Sequence, residues 1–381
     1  MGQEYSVTAK VYKTADAGDW SIEDMFEYFK KHGAMRVSDL HIKIGVQPIF
    51  RVDGDLMKLR GQVVTKEIAE KLIFPLLGEK QTAEFRAKNN VDCSYHFGDL
   101  QFRINVFIDN DGIAAAIRAL GLDIPKLEDI GFPNDVYKDI VKLQNGLVLL
   151  TGITGAGKST TIASFLDRIC EKKACRIISL EDPIEYILKQ KNSVVSQREV
   201  GRDVSSFVAG LKAMMREDPD VIFVGEMRDA ETIAMTLMAA ETGHLVFSTL
   251  HTRDVTGTVT RILDYFPSSR QDEVRNQLSL GLAYVICQKL IPKKDGTGRL
   301  ICMEILNNNN YACANIIRTG KIEQLYSQLQ TKTKNKPEEN MITFEYHLAK
   351  LVKTGKIDLL EAKKWVNDYQ CFIDAMNTLM V

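Results

Sequence analysis

A chain of 381 residues exceeds the size at which a single hydrophobic core usually suffices, so two domains with room for a helical appendix are expected. Hydrophobic residues at 45% and charged residues at 26% lie near the averages for soluble globular proteins, which excludes a fibre or a disordered chain. With 49 basic against 50 acidic residues the formal net charge is −1 and no long block of one sign stands out, so the charge gives no reason to expect a nucleic-acid partner.

Met1 to Lys13 is polar and lacks the apolar stretch of a signal peptide. The longest apolar run, around Leu147 to Leu150, falls far short of the roughly 20 residues that span a bilayer. A cytoplasmic protein is expected. Met1-Gly2-Gln3-Glu4-Tyr5-Ser6 fits the loose myristoylation pattern, but nothing else supports a lipid anchor. The seven cysteines are odd in number and nowhere spaced C-x-x-C, which argues for reduced thiols rather than zinc or disulfides.

Ile22 to Lys31 has helical spacing, and alternating apolar and polar residues follow through His41 to Ile44 and Ile49 to Val52. Asp53-Gly54-Asp55 then turns the chain into Leu56 to Leu59, which reads as a hairpin. A second alternating pair, Cys93 to Phe97 and Phe102 to Phe107, surrounds Gly98-Asp99. Residues 15–120 are therefore expected to form a small α+β domain with an antiparallel sheet, and the Gly-, Pro- and Asp-rich stretch 121–133 a linker.

From Asn145 the rhythm changes. Leu147 to Thr151, Arg176 to Leu180, Val221 to Val224 and Leu245 to Thr249 are apolar runs without alternation, separated by helix-length segments, as in a parallel sheet buried on both faces. An α/β domain is predicted over 134–310, with Leu300 to Ile305 ending or edging its sheet. Residues 311–381 read as helices broken by a polar loop, Thr331 to Asn340, around Pro337.

Gly152-Ile153-Thr154-Gly155-Ala156-Gly157-Lys158-Ser159, followed by Thr160, matches G-x-x-x-x-G-K-[ST] and sits between a buried strand and a helix, where a P-loop belongs. Glycines let backbone N–H groups approach phosphates, Lys158 would reach the β- and γ-phosphates of ATP, and Ser159 would help hold Mg²⁺. Asp220 to Glu226 is an apolar strand ending in acid, with Gly225 where many P-loop enzymes carry the metal-binding Asp, so Glu226 acts on the metal or on the attacking water. Glu181-Asp182-Pro183-Ile184-Glu185 follows another strand; it is either a carboxylate site for positioning water or a solvated turn. His244 and His251 flank one strand, as phosphate sensors or as structural histidines. Arg103 and Arg118 lie far from the P-loop in sequence, and taken alone read as surface arginines.

The order of these motifs resembles the PilT/PilU branch of the type II/IV secretion ATPases over nearly the whole chain. Ser38 to Ile42 and Arg51 to Gly54 resemble the family's N-terminal domain, Gly152 to Thr160 its Walker A and Glu181 to Glu185 its Asp box. Arg216 to Asp229 resembles its Walker B region, which explains Gly225-Glu226, and Ala240 to Thr252 its His box. The resemblance implies a PAS-like N-terminal domain, a RecA-like ATPase domain, and a homohexamer binding ATP between subunits. It makes Arg103 and Arg118 phosphate-contacting residues and Glu185 the general base, with Glu226 the alternative. The implied partner is an inner-membrane pilus platform protein, reached by a cytoplasmic ring with no anchor of its own.

Extension ATPases and type II secretion relatives usually carry a longer N-terminal region and a tetracysteine insertion, and neither is expected here. The retraction motif A-I-R-N-L-I-R-E is replaced by Ala312-Cys313-Ala314-Asn315-Ile316-Ile317-Arg318-Thr319, which points towards an accessory, PilU-like paralogue working with a second retraction ATPase. Two other readings stand beside this one: a VirB11-like secretion or conjugation ATPase, and a nucleotide-binding ring adaptor that hydrolyses little.

Overall fold

The computed structural model describes residues 6–16, 18–32, 36–52, 55–98, 100–119, 124–335 and 340–379. Outside these fall Met1 to Tyr5 of the myristoylation pattern, Asp53 and Gly54 of the first turn, Asp99 of the second, Gly121 to Asp123 of the linker, and Pro337 of the polar loop. The chain divides into two compact units, Met1–Asp123 with Pro183–Ile187, and Ile124–Asp182 with Leu188–Val381.

In the first unit, strands β1 (Tyr12–Lys13) and β2 (Asp19–Trp20) pair ahead of a helix, Ile22–His32. Ser21 and Asp24 cap that helix reciprocally: the Asp24 amide donates to Ser21 Oγ (3.2 Å) and the Ser21 amide to Asp24 Oδ2 (2.6 Å). Strands β3 (Val37–Lys43), β4 (Ile49–Val52), β5 (Asp55–Lys58), β6 (Asn90–Phe97), β7 (Leu100–Asp109) and β8 (Gly112–Ala119) form one antiparallel sheet, in the order β5-β4-β3-β8-β7-β6. Met25, Phe26 and Phe29 of the helix share a buried core with Leu40, Phe102, Ile104 and Ile117 of the sheet. Phe26 stacks on Phe102 with centroids 4.3 Å apart. The alternation in the sequence does not reveal β8, because Ala114-Ala115-Ala116 has weak strand preference; the strand exists because β3 and β7 flank it, pairing Ala115 with Ile42 and Val106.

The second unit is built on seven strands: β9 (Gly146–Thr151), β10 (Arg176–Glu181), β11 (Val194–Glu199), β12 (Val221–Val224), β13 (Leu245–Leu250), β14 (Leu282–Pro292) and β15 (Arg299–Asn307). Their order is β11-β10-β12-β13-β9-β14-β15, parallel throughout except for the β14–β15 pair. The four runs read as doubly buried strands are adjacent, and every residue of β9, β12 and β13 is buried. Alternate residues feed two cores, Leu147, Leu149, Ile222 and Val246 on one face and Val148, Leu150, Phe223 and Phe247 on the other.

Beyond the sheet come helices Tyr311–Thr319, Gln324–Asn335, Phe344–Lys353, Leu359–Trp365 and Tyr369–Thr378. Of the polar loop expected over Thr331 to Asn340, Thr331 to Asn335 instead complete a helix, Thr331 Oγ1 donating to the Ser327 carbonyl and Thr333 Oγ1 to that of Leu329. Among the described residues no helix is long and apolar enough to cross a membrane.

Candidate active site

Parallel pairing fixes which groups meet. Leu250 lies beside Thr151, Ser248 beside Val224 and Val224 beside Leu180, so the C-terminal ends of β9, β10, β12 and β13 share one edge of the sheet. In an α/β sheet this is the edge where ligands bind.

The P-loop leaves that edge from β9 and enters the helix Lys158–Lys172. Gly152 (φ +145°) has no room for a side chain, since a Cβ would stand 2.5 Å from the Gln288 carbonyl oxygen. Gly157, left-handed at φ +87°, caps the helix and offers no side-chain cap, so its first N–H groups remain available to an anion. Ile153, Thr154 and Gly155 form the exposed crest, Ala156 is buried, and Ser159 and Thr160 are half-buried. Lys158 is buried, its ammonium donating to the carbonyls of Gly152 (2.8 Å) and Ile153 (3.2 Å). Gln288 braces the loop from β14, its Nε2 donating to Thr161 Oγ1 at 3.1 Å.

Glu226 follows β12 after Gly225, whose amide donates to the Leu180 carbonyl (2.7 Å) and whose carbonyl accepts from Thr249 Oγ1 (2.6 Å). A Cβ on Gly225 would meet the Leu180 oxygen at 3.1 Å, which explains why this strand end carries glycine. The Glu226 carboxylate is partly buried and doubly held: Oε1 lies 3.3 Å from His251 Nε2, and Oε2 accepts from Arg228 Nε at 2.9 Å. Arg228 also lies 3.6 Å from Asp182, and the Glu226 carboxylate raises its pKa. Sequence alone assigns Arg228 no role, and its one signal is its position two residues after Glu226.

The structure thus assembles Lys158, Ser159, Glu226 and His251 at one edge. His244 is not brought there. It precedes the first residue of β13, and its backbone carbonyl accepts from Gly146 at the opposite edge, about 20 Å away at the usual rise of a strand. There its Nδ1 donates to the Ala239 carbonyl (2.9 Å), closing the turn after a helix. Within one chain, six residues of strand therefore separate His244 from His251. Within the Asp box, Glu181 is buried and structural, accepting from Ser179 Oγ and Gln197 Nε2. Glu185 is exposed and belongs to the first unit, whose buried Gln101 donates to the Ile184 carbonyl (2.6 Å).

Arg103 and Arg118 are also in the first unit, directly opposite each other on β7 and β8. They extend a row across four strands, Arg51, Asp39, Arg118 and Arg103. Buried Asp39 accepts from Arg118 Nε at 2.8 Å and lies 3.8 Å from Arg51. Burial works to raise its pKa, but the Ser38 hydroxyl and the Arg118 guanidinium outweigh this and hold it below the usual value.

The family model described as "Type II/IV secretion system protein" matches residues 23–347. The chain is 42% identical over 311 residues to the type IV pilus retraction ATPase PilT of Pseudomonas aeruginosa, covering 81% of this chain and 89% of that protein. It is 34% identical to the type IV pilus ATPase PilU of the same organism, covering 88% of this chain and 87% of PilU. A crystal structure of the pilus retraction motor PilT with bound ADP superposes with a TM-score of 0.84 at 41% identity, covering 92% of this chain and 98% of PilT. The chain therefore belongs to the type II/IV secretion system protein family and falls with its PilT/PilU-type retraction ATPases.

Proposed function

We propose that this chain hydrolyses ATP as the subunit of a homohexameric motor that retracts type IV pili and so drives twitching motility. The observation that carries the reading is the Glu226 carboxylate, held between His251 and Arg228 at the strand edge from which the P-loop emerges. The first unit is read as PAS-like and the second as RecA-like, the latter supported by a mostly parallel sheet with the P-loop strand inside it.

In this reading Gly152 to Thr160 bind ATP, Lys158 neutralises its terminal phosphates, and the uncapped amides of the Lys158–Lys172 helix receive phosphate oxygens. Ser159 and Glu226 would hold Mg²⁺, one hydroxyl and one carboxylate being oxygen donors that suit a hard cation. When bound, Mg²⁺ neutralises charge between the phosphates. Glu226 orients the attacking water, His251 fixes the carboxylate, and Glu185 is the second candidate base. Arg103 and Arg118 supply guanidinium charge to the phosphates in the assembled ring. The force passes to an inner-membrane platform protein from a cytoplasmic ring. The altered segment Ala312 to Thr319 favours an accessory, PilU-like role beside a paralogous retraction ATPase.

The test is steady-state ATP turnover and solution mass of the protein and its Lys158→Ala and Glu226→Gln variants. Turnover should vanish in the first, the second should retain ATP without hydrolysing it, and the mass should be that of a hexamer. Normal turnover in Glu226→Gln would sink the assignment. A hexamer that binds ATP but turns it over only with a partner ATPase would support the accessory role.

A further inference from the structure

Three hydroxyls and a thiol meet in a buried cluster between the P-loop strand and the loop that carries His251. Thr151 ends β9 immediately before Gly152, Thr252 follows His251, Thr258 lies one turn into the helix Val255–Asp264, and Cys287 lies on β14. Thr151, Thr258 and Cys287 are fully buried and Thr252 nearly so.

One proton arrangement satisfies all four donors. Thr258 Oγ1 donates to the Asp254 carbonyl (2.8 Å), Thr252 Oγ1 to Thr258 Oγ1 (2.7 Å), Thr151 Oγ1 to Cys287 Sγ (2.8 Å), and the Cys287 thiol to Thr258 Oγ1 (3.8 Å). Thr258 is the common member, 3.4 Å from Thr151 as well. Its own helix is pinned at the N-terminus by Asp254, which accepts from the Gly257 amide (2.6 Å), and by Glu304 of β15, which accepts from the Val255 amide (2.8 Å). Buried hydroxyls that satisfy one another fix a single arrangement of the elements they join.

We propose that Thr258 is a positioning residue for ATP hydrolysis: through Thr252 it sets where His251 meets Glu226, and through Thr151 and Cys287 it ties that loop to the base of the P-loop. The proposal rests on the assignment of Glu226 and His251 to the hydrolytic site. The hydrogen bonds of the Thr258 hydroxyl run to Thr252, Asp254, Thr151 and Cys287.

Thr258→Val keeps the shape and removes the hydroxyl, while Thr258→Ser keeps the hydroxyl. Turnover and ATP binding of the full-length protein should be measured for both, and for Thr258→Val combined with His251→Ala. The valine variant should lose roughly tenfold or more in kcat, as small misplacements in an active site do, with ATP affinity changed less than about twofold and serine restoring most of the rate. In the His251→Ala background the valine substitution should cost nothing further, since both changes act through one group. Wild-type kcat in Thr258→Val overturns the proposal, as does an equal loss with and without His251. Normal turnover in Glu226→Gln would instead remove the underlying site assignment, and this proposal with it.

Discussion

Glu226 and His251 meet across two neighbouring parallel strands, carboxylate Oε1 to imidazole Nε2 at 3.3 Å, while the other carboxylate oxygen of Glu226 is held by Arg228. A carboxylate gripped at both oxygens keeps its orientation when charge shifts around it, which is the preorganisation a water-positioning group needs. Removing the imidazole frees one oxygen and leaves the P-loop intact. His251→Ala is therefore expected to lower kcat by about 10²-fold with little change in the KM for ATP. A rise in KM at unchanged kcat would place His251 in binding instead.

Gly225 makes the Glu226 geometry attainable. With a Cβ 3.1 Å from the Leu180 oxygen and 3.3 Å from the Glu181 Cα, a side chain here must push β12 away from β10. Both obstacles are backbone atoms, which do not swing aside. Gly225→Ala should lower stability by about 1–3 kcal/mol and reduce turnover more than ATP binding. Thermal melting and nucleotide titration of the same preparation separate the two effects.

Much of the second unit is legible because its central strands are buried on both faces and so lose their alternation: Leu147 to Thr151, Val221 to Val224 and Leu245 to Thr249 stand out as apolar runs, and the motifs lie at their ends. Val194–Glu199 was illegible because this outermost strand ends in Ser196-Gln197-Arg198-Glu199, and polar residues suffice at an edge. Leu282–Pro292, although apolar over its first residues, does not stand out in the sequence because it follows the helix Ser268–Gly281 without a loop. His244 and His251 flank β13, so the strand itself sends them to opposite edges, and the parallel register with β9 decides that His251 is the one beside the P-loop. The cluster around Thr258 draws on residues 136 positions apart, from Thr151 to Cys287, and scattered threonines carry no local signal.

Glu304 gives the fold a dependence on pH. It is almost completely buried, and one carboxyl oxygen accepts from the Val255 amide. Burial pushes its pKa up to about 8. Between pH 4.5 and 8 the folded protein keeps a proton that the unfolded chain releases, so stability falls as pH rises through that window and levels off above it. Glu304→Gln keeps an acceptor for Val255 and cannot ionise. Its melting temperature should vary less between pH 5 and 8.5, and exceed that of the wild type at the upper end. Parallel melting curves for the two proteins would place the dependence on another group.

His347 acts in the opposite direction. It is buried on the helix Phe344–Lys353, and its Nδ1 accepts from the Met303 amide at 2.9 Å, which requires that nitrogen to be unprotonated. Burial, with Lys350 and Lys356 adding repulsion, holds its pKa down to about 4. Between pH 6.5 and 4 the unfolded chain takes up a proton that the folded form refuses, so stability is lost as pH falls through this range. A proton on that nitrogen would break the bond from the Met303 amide. His347→Asn can present its carbonyl oxygen to the Met303 amide. It should be less stable than the wild type at pH 7, through lost packing, yet lose less of its melting temperature on going to pH 4.5. Histidine NMR gives the direct check: the His347 ring should show no titration above about pH 5, and a midpoint near 6.5 would place the acid sensitivity elsewhere.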